Sequence, residues 1–352
     1  MSVEIKKTIK CLLLLAAFMA VVVGVNIGVD PANIIRNDYA KQAAEIVAAG
    51  DNVTNLLNFD DREFVNQYAQ LRKDDVDVLV LGSSRSLQVT KDVTGVDSTF
   101  CAGVTGADLR DCIAAYMQFR QNGKTPQQVV ICAEYWFLSN GNLNGRAKTE
   151  MYEQFCQLTG NQPFKTSSQK LDKVKEMVSF SYFQTSLDYL FTEKGDIKLA
   201  AVSTADNAYP TRRADGSYSY EEEYRNRDII DIDADAVSST HYNSIDYTFN
   251  GVDDQLVKQF EDFIRFIQAD GAQVVLQLAP LHPIYYNHMA QGQRYAPMLA
   301  TQDYFYSLQD TLGVQCFGGY NPADFGMVNT DFYDAQHPTA QGIYKYYGVK
   351  AQ

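Results

Sequence analysis

Short apolar runs alternate along this chain with stretches of helical periodicity, and that alternation limits the folds open to it more than any other feature. Val76 to Leu81 reads as a strand with no polar face, and Gln128 to Cys132 is a second β-branched run, led in by Gly123 and Pro126. Gln273 to Leu278 reads as another strand, ended by Pro280, and Val314 to Phe317 as a short one. Between them, Asp108 to Arg120 carries Leu109, Ile113, Tyr116 and Phe119 on one helical face. Val252, Leu256, Val257, Phe260, Phe263, Ile264 and Ile267 repeat every 3.6 residues up to Gly271, which closes that helix. Tyr304 to Leu312 and Ala340 to Tyr347 also read as helices. Strands that are apolar throughout need cover on both faces, and amphipathic helices supply it. The expected fold class is therefore α/β, a parallel sheet in a three-layer arrangement.

The N-terminus adds a separate element. Lys6, Lys7 and Lys10 precede nineteen uncharged residues, Cys11 to Val29. At about 1.5 Å per residue the run is roughly 28 Å long, enough for a hydrocarbon core of about 30 Å. The lysines before it and Asp30 after it place residues 1–10 in the cytoplasm, 11–29 in the membrane and the rest outside. A cleaved signal peptide is the competing reading, with a shorter apolar region and an A-x-A-like site. Here Val21-Val22-Val23-Gly24-Val25 continues past the alanines, which favours an uncleaved signal-anchor. Cys11 precedes the apolar run, which disfavours a lipoprotein anchor.

Residues 30–75 are polar, with helical spacing around Ala43 to Val47, and are expected to form a stalk. Residues 76–352 suit one α/β domain with an insertion at 141–250, where the alternation breaks down. In that insertion Tyr209, Tyr218, Tyr220 and Tyr224 interleave with Arg212, Arg213, Arg225 and three successive glutamates from 221. So long an excursion is either a functional lid or subdomain, or a helical cover for the sheet. A net charge of −13 argues against nucleic acid as a partner and against broad adhesion to anionic lipid. The six cysteines lack C-x-x-C spacing, and Cys112 and Cys132 lie in helix and strand contexts that suit buried hydrophobes. Four histidines with no metal-ligand spacing give no zinc site, and no cofactor is expected.

Two segments about 250 residues apart carry the candidate chemistry. The strand Val78 to Leu81 runs into Gly82-Ser83-Ser84-Arg85-Ser86, and Asp334-Ala335-Gln336-His337-Pro338 lies near the C-terminus. Ligands of open parallel sheets bind at the carboxyl ends of the strands, where Ser84 falls. A serine nucleophile needs a base within hydrogen-bond reach and a carboxylate to orient that base, and His337 and Asp334 could be those groups. An ordinary turn in which Ser84 caps a helix, with His337 on a surface loop, would give the same letters.

The order serine, then aspartate and histidine together near the end, resembles the SGNH (GDSL-like) hydrolases and acyltransferases. The resemblance covers roughly residues 76–140 and 251–347 and implies a flavodoxin-like parallel sheet. It makes Ser84 the nucleophile, with Ser83 where the family usually has aspartate, and makes His337 the base, oriented by Asp334. Phe100 to Ala107 resembles the family's second motif, so the Gly106 amide, with that of Ser84, would serve the oxyanion hole. Where the family has Gly-x-Asn-Asp, this chain has Ala133-Glu134-Tyr135-Trp136, without the asparagine donor. Arg85, Glu134 and His282, the last in Ala279-Pro280-Leu281-His282-Pro283, are candidate substrate-binding residues at the same edge, with a capping or lattice role for Glu134 and a structural role for His282 standing as alternatives.

An anchor, an outward domain and a missing donor look like the branch of the alginate O-acetylation and D-alanyl-lipoteichoic-acid biosynthesis proteins. That branch works beside membrane-bound O-acyltransferases. The resemblance thus implies O-acyl transfer, acetyl in the first instance, onto an extracytoplasmic polysaccharide or cell-wall polymer. Two alternatives stand beside it: a carbohydrate esterase of the same fold, and a non-catalytic anchored scaffold or glycan-binding partner.

Overall fold

A computed structural model describes residues 3–30, 38–56, 60–147, 149–164, 177–191 and 198–349. In chain order its strands are β1 (Asn52–Thr54), β2 (Val78–Leu81), β3 (Thr99–Cys101) and β4 (Gln128–Cys132), then β5 (Ala200–Val202), β6 (Thr211–Arg212) and β7 (Tyr218–Ser219), and finally β8 (Gln273–Leu278) and β9 (Gln315–Gly318). Five of them form a parallel sheet in the order β3-β2-β4-β8-β9, with Leu79 opposite Phe100 and Val129, and Val130 opposite Val275. The chain leaves β2 toward β3 on one side and returns to β4 on the other. The carboxyl ends of β2 and β4 therefore frame a topological switch point, the usual ligand crevice of such sheets.

Successive strand residues point to opposite faces. Leu79, Leu81, Val129, Ile131, Val274 and Leu276 enter one apolar cluster, with Phe119, Phe260 and Phe263 from helices Leu109–Gln121 and Asp254–Ala269. Val78, Val80, Val130 and Val275 enter a second cluster with Ile343 and Tyr346 of helix Ala340–Tyr347. The helix starts follow from local chemistry. Asp108 and Asp111 form a reciprocal capping box, and Asp253 accepts from the Gln255 amide at 2.8 Å.

Of the stretch expected to be a stalk, residues 31–37 and 57–59 lie outside the described residues, and the described residues from 38 onward fold onto the domain. Helices Asp38–Ala48 and Asp61–Leu71 bury Ala43, Ala44, Val47, Phe64 and Tyr68 in the larger cluster. The Tyr68 ring stacks on Phe100 with centroids 3.7 Å apart. β1 lies in a second, antiparallel sheet ordered β5-β1-β6-β7, so residues 52–54 pair with the insertion. The small side chains around Ala43 to Val47 have too little apolar width to mark a buried helix in sequence, yet they let it approach the core closely. The N-terminal helix Val3–Val29 is long and apolar enough to cross a membrane or to act as a signal-anchor.

Candidate active site

β2 ends at Gly82, where a Cβ would lie 2.5 Å from the Cβ of Cys132, so β4 leaves no room for a side chain there. The chain then turns into a short 3-10 helix, Ser84–Ser86, capped by the Ser83 hydroxyl, which accepts from the Arg85 amide at 3.2 Å. Ser83, Arg85 and Ser86 are buried, and Ser84 alone of the four is half-buried. Its Oγ lies 2.8 Å from His337 Nε2. The opposite ring nitrogen, Nδ1, lies 2.8 and 2.9 Å from the Asp334 carboxylate oxygens. A carboxylate at Nδ1 selects the tautomer that donates there, which leaves Nε2 as the acceptor facing the serine hydroxyl.

The loop bearing Asp334 and His337 is fixed on all sides. The Tyr333 amide donates to the His337 carbonyl at 2.8 Å, closing the loop. The His282 amide holds the Ala335 carbonyl at 3.0 Å, and Arg85 Nε holds that of Gln336 at 3.1 Å. Thr339 caps the helix that follows, its Oγ accepting from the Gly342 amide at 3.0 Å. Asp334 itself accepts from the amides of Gln336 and His337, each at 2.8 Å, and from the Tyr224 hydroxyl at 2.6 Å. Burial alone would raise its pKa. The His337 ring and these donors outweigh burial and hold the carboxyl well below its ordinary range.

Arg85 and Glu134, expected to meet substrate, lie beneath the turn instead. Their side chains are 1% and 0% exposed and pair at 2.6 Å. Arg85 also donates to the carbonyls of Ala279 and Pro280 at the end of β8, and the other Glu134 oxygen accepts from Ser83 at 2.5 Å. Arginine and carboxylate thus satisfy each other and tie together the ends of β2, β4 and β8 and the histidine loop. His282 is buried too. Its Nδ1 accepts from the Ile284 amide at 3.2 Å, which caps helix Pro283–Gln291, and its Nε2 lies 3.4 Å from Asp233. A helix-capping imidazole cannot be told from a substrate ligand in sequence, because both need only a histidine after a strand. Burial, opposed by Asp233 and Asp334, keeps the pKa of His282 below its ordinary value.

Gly106 follows β3 at the same edge, with φ 58°, in a turn that a Cβ would bring 2.7 Å from Arg146 Nη2. Its carbonyl accepts from Asn144 Nδ2 at 3.0 Å and Arg62 Nη2 at 3.4 Å, and Arg62 forks onto Asp111 at 2.8 and 2.9 Å. No hydrogen bond among the described residues takes the amides of Ser84 or Gly106. The structure therefore brings Ser84, His337 and Asp334 into one chain of contacts and sets Gly106 on the neighbouring strand end.

Sequence reasoning missed Tyr224, Arg62 and Asn144. Tyr224 stands in a cluster with Tyr220 and Tyr333, centroids 5.0 to 5.4 Å apart, and the Tyr220 ring lies 6.4 Å from His337. The density of tyrosine in the insertion was the only signal that could have found it. Cys112 and Cys132 are free and buried, and burial pushes both thiols well up. No family model matches the chain, and no curated protein matches it.

Proposed function

We propose that this protein is a membrane-anchored serine acyltransferase of the SGNH type, with a three-layer sheet domain outside the cytoplasm, acting on a polysaccharide or cell-wall polymer. The observation that carries the reading is the contact of 2.8 Å between Ser84 Oγ and His337 Nε2, with Asp334 on the other ring nitrogen. In the reaction Ser84 Oγ bonds to the acyl carbon of a donor ester, and His337 takes the hydroxyl proton. The donor's acyl–oxygen bond breaks, and its alcohol leaves with that proton. A sugar hydroxyl then attacks the acyl-serine, gives its proton to His337, and departs as the new ester while the proton returns to Ser84. The free amides of Ser84 and Gly106 are the donors this reading assigns to the oxyanion.

The missing asparagine donor favours transfer in a membrane setting over free hydrolysis. Glu134, at the strand end where the family has that motif, is bound to Arg85 and Ser83 and offers no donor. Loss of one oxyanion donor costs about 10²–10³ in rate, so the protein alone should be a poor esterase. A membrane-bound O-acyltransferase could then supply the acyl group. The same gap supports a scaffold as the second reading.

The test is acetyl ester per sugar in envelope polymer purified from wild-type, deletion and Ser84→Ala cells. Transfer predicts lower ester content in both altered strains. A rise would identify an esterase, and no change in either would favour the scaffold.

A further inference from the structure

The helix Phe180–Phe191, inside the insertion, docks against the exit end of the N-terminal apolar helix, and both sides of that contact are polar. Asn26 is fully buried there, and its Nδ2 donates to the carbonyls of Met177 and Ser179 at 3.0 Å each. Ser186 Oγ reaches Asn26 Oδ1 at 3.4 Å, and the Tyr182 hydroxyl donates to Asp30 at 2.7 Å. Buried polar groups held this way fix one geometry between two elements, because each would be costly to leave unpaired.

The other faces of this helix divide sharply. Phe180, Phe183, Leu187, Leu190 and Phe191, spaced i, i+3, i+7, i+10 and i+11, form one apolar arc. Phe180, Leu190 and Phe191 are 55%, 54% and 83% exposed. Ser181, Thr185 and Asp188 occupy a separate, polar arc. So much apolar surface on one short helix needs an occupant.

Depth identifies it. The Phe180 ring lies 6.4 Å from that of Phe18, and the Phe183 ring lies tilted beside Phe180 at 5.9 Å. Phe18 precedes Val29 by eleven residues, about 16 Å along the helix axis, near the middle of a hydrocarbon core of about 30 Å. Tyr182 meanwhile reaches Asp30 at the exit end. The Phe180 end of the apolar arc therefore lies alongside the apolar run, at a depth inside the span.

Resting on the reading of Val3–Val29 as a membrane span, we infer that helix Phe180–Phe191 is inserted in the bilayer beside that span, with Phe180, Leu190 and Phe191 among acyl chains. The insertion is then a second membrane contact, and the domain is held on the bilayer at two places.

Single cysteines at Phe180, Leu190, Phe191 and Thr185, each in full-length protein carrying Cys11→Ala and Cys316→Ser, test this with a membrane-impermeant maleimide on intact cell membranes. The three apolar-arc cysteines should react at least tenfold more slowly than Thr185→Cys, and detergent should abolish the difference. Equal rates in a chain that resists carbonate extraction would overturn the inserted helix and leave the anchor standing. Release by carbonate would overturn both.

Discussion

Two layers meet at Ser84, and they are built oppositely. Beneath the turn, Ser83, Arg85 and Glu134 form a dry, fully paired lattice across three strand ends. Above it, Ser84, His337 and Asp334 form a half-open chain in which each side chain is aimed by a neighbour. Adjacent serines with the same hydroxyl thus have separable duties, because one bond turns inward to a carboxylate and the other outward to an imidazole. The aim of the Ser84 hydroxyl thus rests on buried charges that solvent does not reach. Substitutions in the upper layer should change chemistry at constant stability, and those in the lower layer the reverse.

The largest effect expected is on acylation. Ser84→Ala and His337→Ala should each cut acylation by an activated-ester probe at least about 10³-fold, with melting temperatures close to wild type. Mass spectrometry of the labelled peptide checks this, and undiminished labelling in Ser84→Ala would exclude Ser84 as the acylated residue. Next comes the lower layer. Glu134→Ala strands the Arg85 guanidinium in a dry site, and breaking such a pair costs about 3–5 kcal/mol. Urea unfolding should show that loss. A loss below about 1 kcal/mol would mean that the lattice is not what holds the turn.

Tyr224→Phe sharpens the comparison from the side of the insertion. It removes one hydroxyl from Asp334 and nothing else. A hydrogen bond to a charged group contributes about 1.5–3 kcal/mol, so activity should fall roughly 10–100-fold. A fall of less than about twofold would make Tyr224 a packing residue.

How much of this was legible depends on range. Val78 to Leu81, Gln273 to Leu278 and the helix around Phe260 are patterned over a few residues, and each lies within a residue or two of its expected place. The pairing of Ser84 with His337 rests on residue types that few positions share. β3 is three residues long, too short for a period to show. β1, β5, β6 and β7 are also only two or three residues each, and β1 exists through pairing with residues about 150 positions away. Tyr224 was one tyrosine among several, since its value lies in where the chain folds it. Arg85 and Glu134 looked like substrate ligands because a charge at a strand end carries no mark of burial.

The smallest predicted effect belongs to His282, which joins the layers by holding the Ala335 carbonyl through its amide while its ring is buried. Burial, against the pull of Asp233 and Asp334, keeps its folded pKa below the ordinary value near 6.5. Above about pH 6.5 the ring is neutral in both states, and the stability it contributes is fully present. As pH falls below that value, the unfolded chain takes up a proton that the folded ring resists, and stability is lost until the folded pKa is reached. The loss within that window approaches about 1.4 kcal/mol per pH unit. His282→Asn keeps a side chain able to cap the Ile284 amide and removes the titration. Urea unfolding at pH 7.5 and pH 5.5 should therefore show a smaller drop on acidification for His282→Asn than for wild type. Equal drops would place the acid sensitivity elsewhere and leave His282 a cap alone.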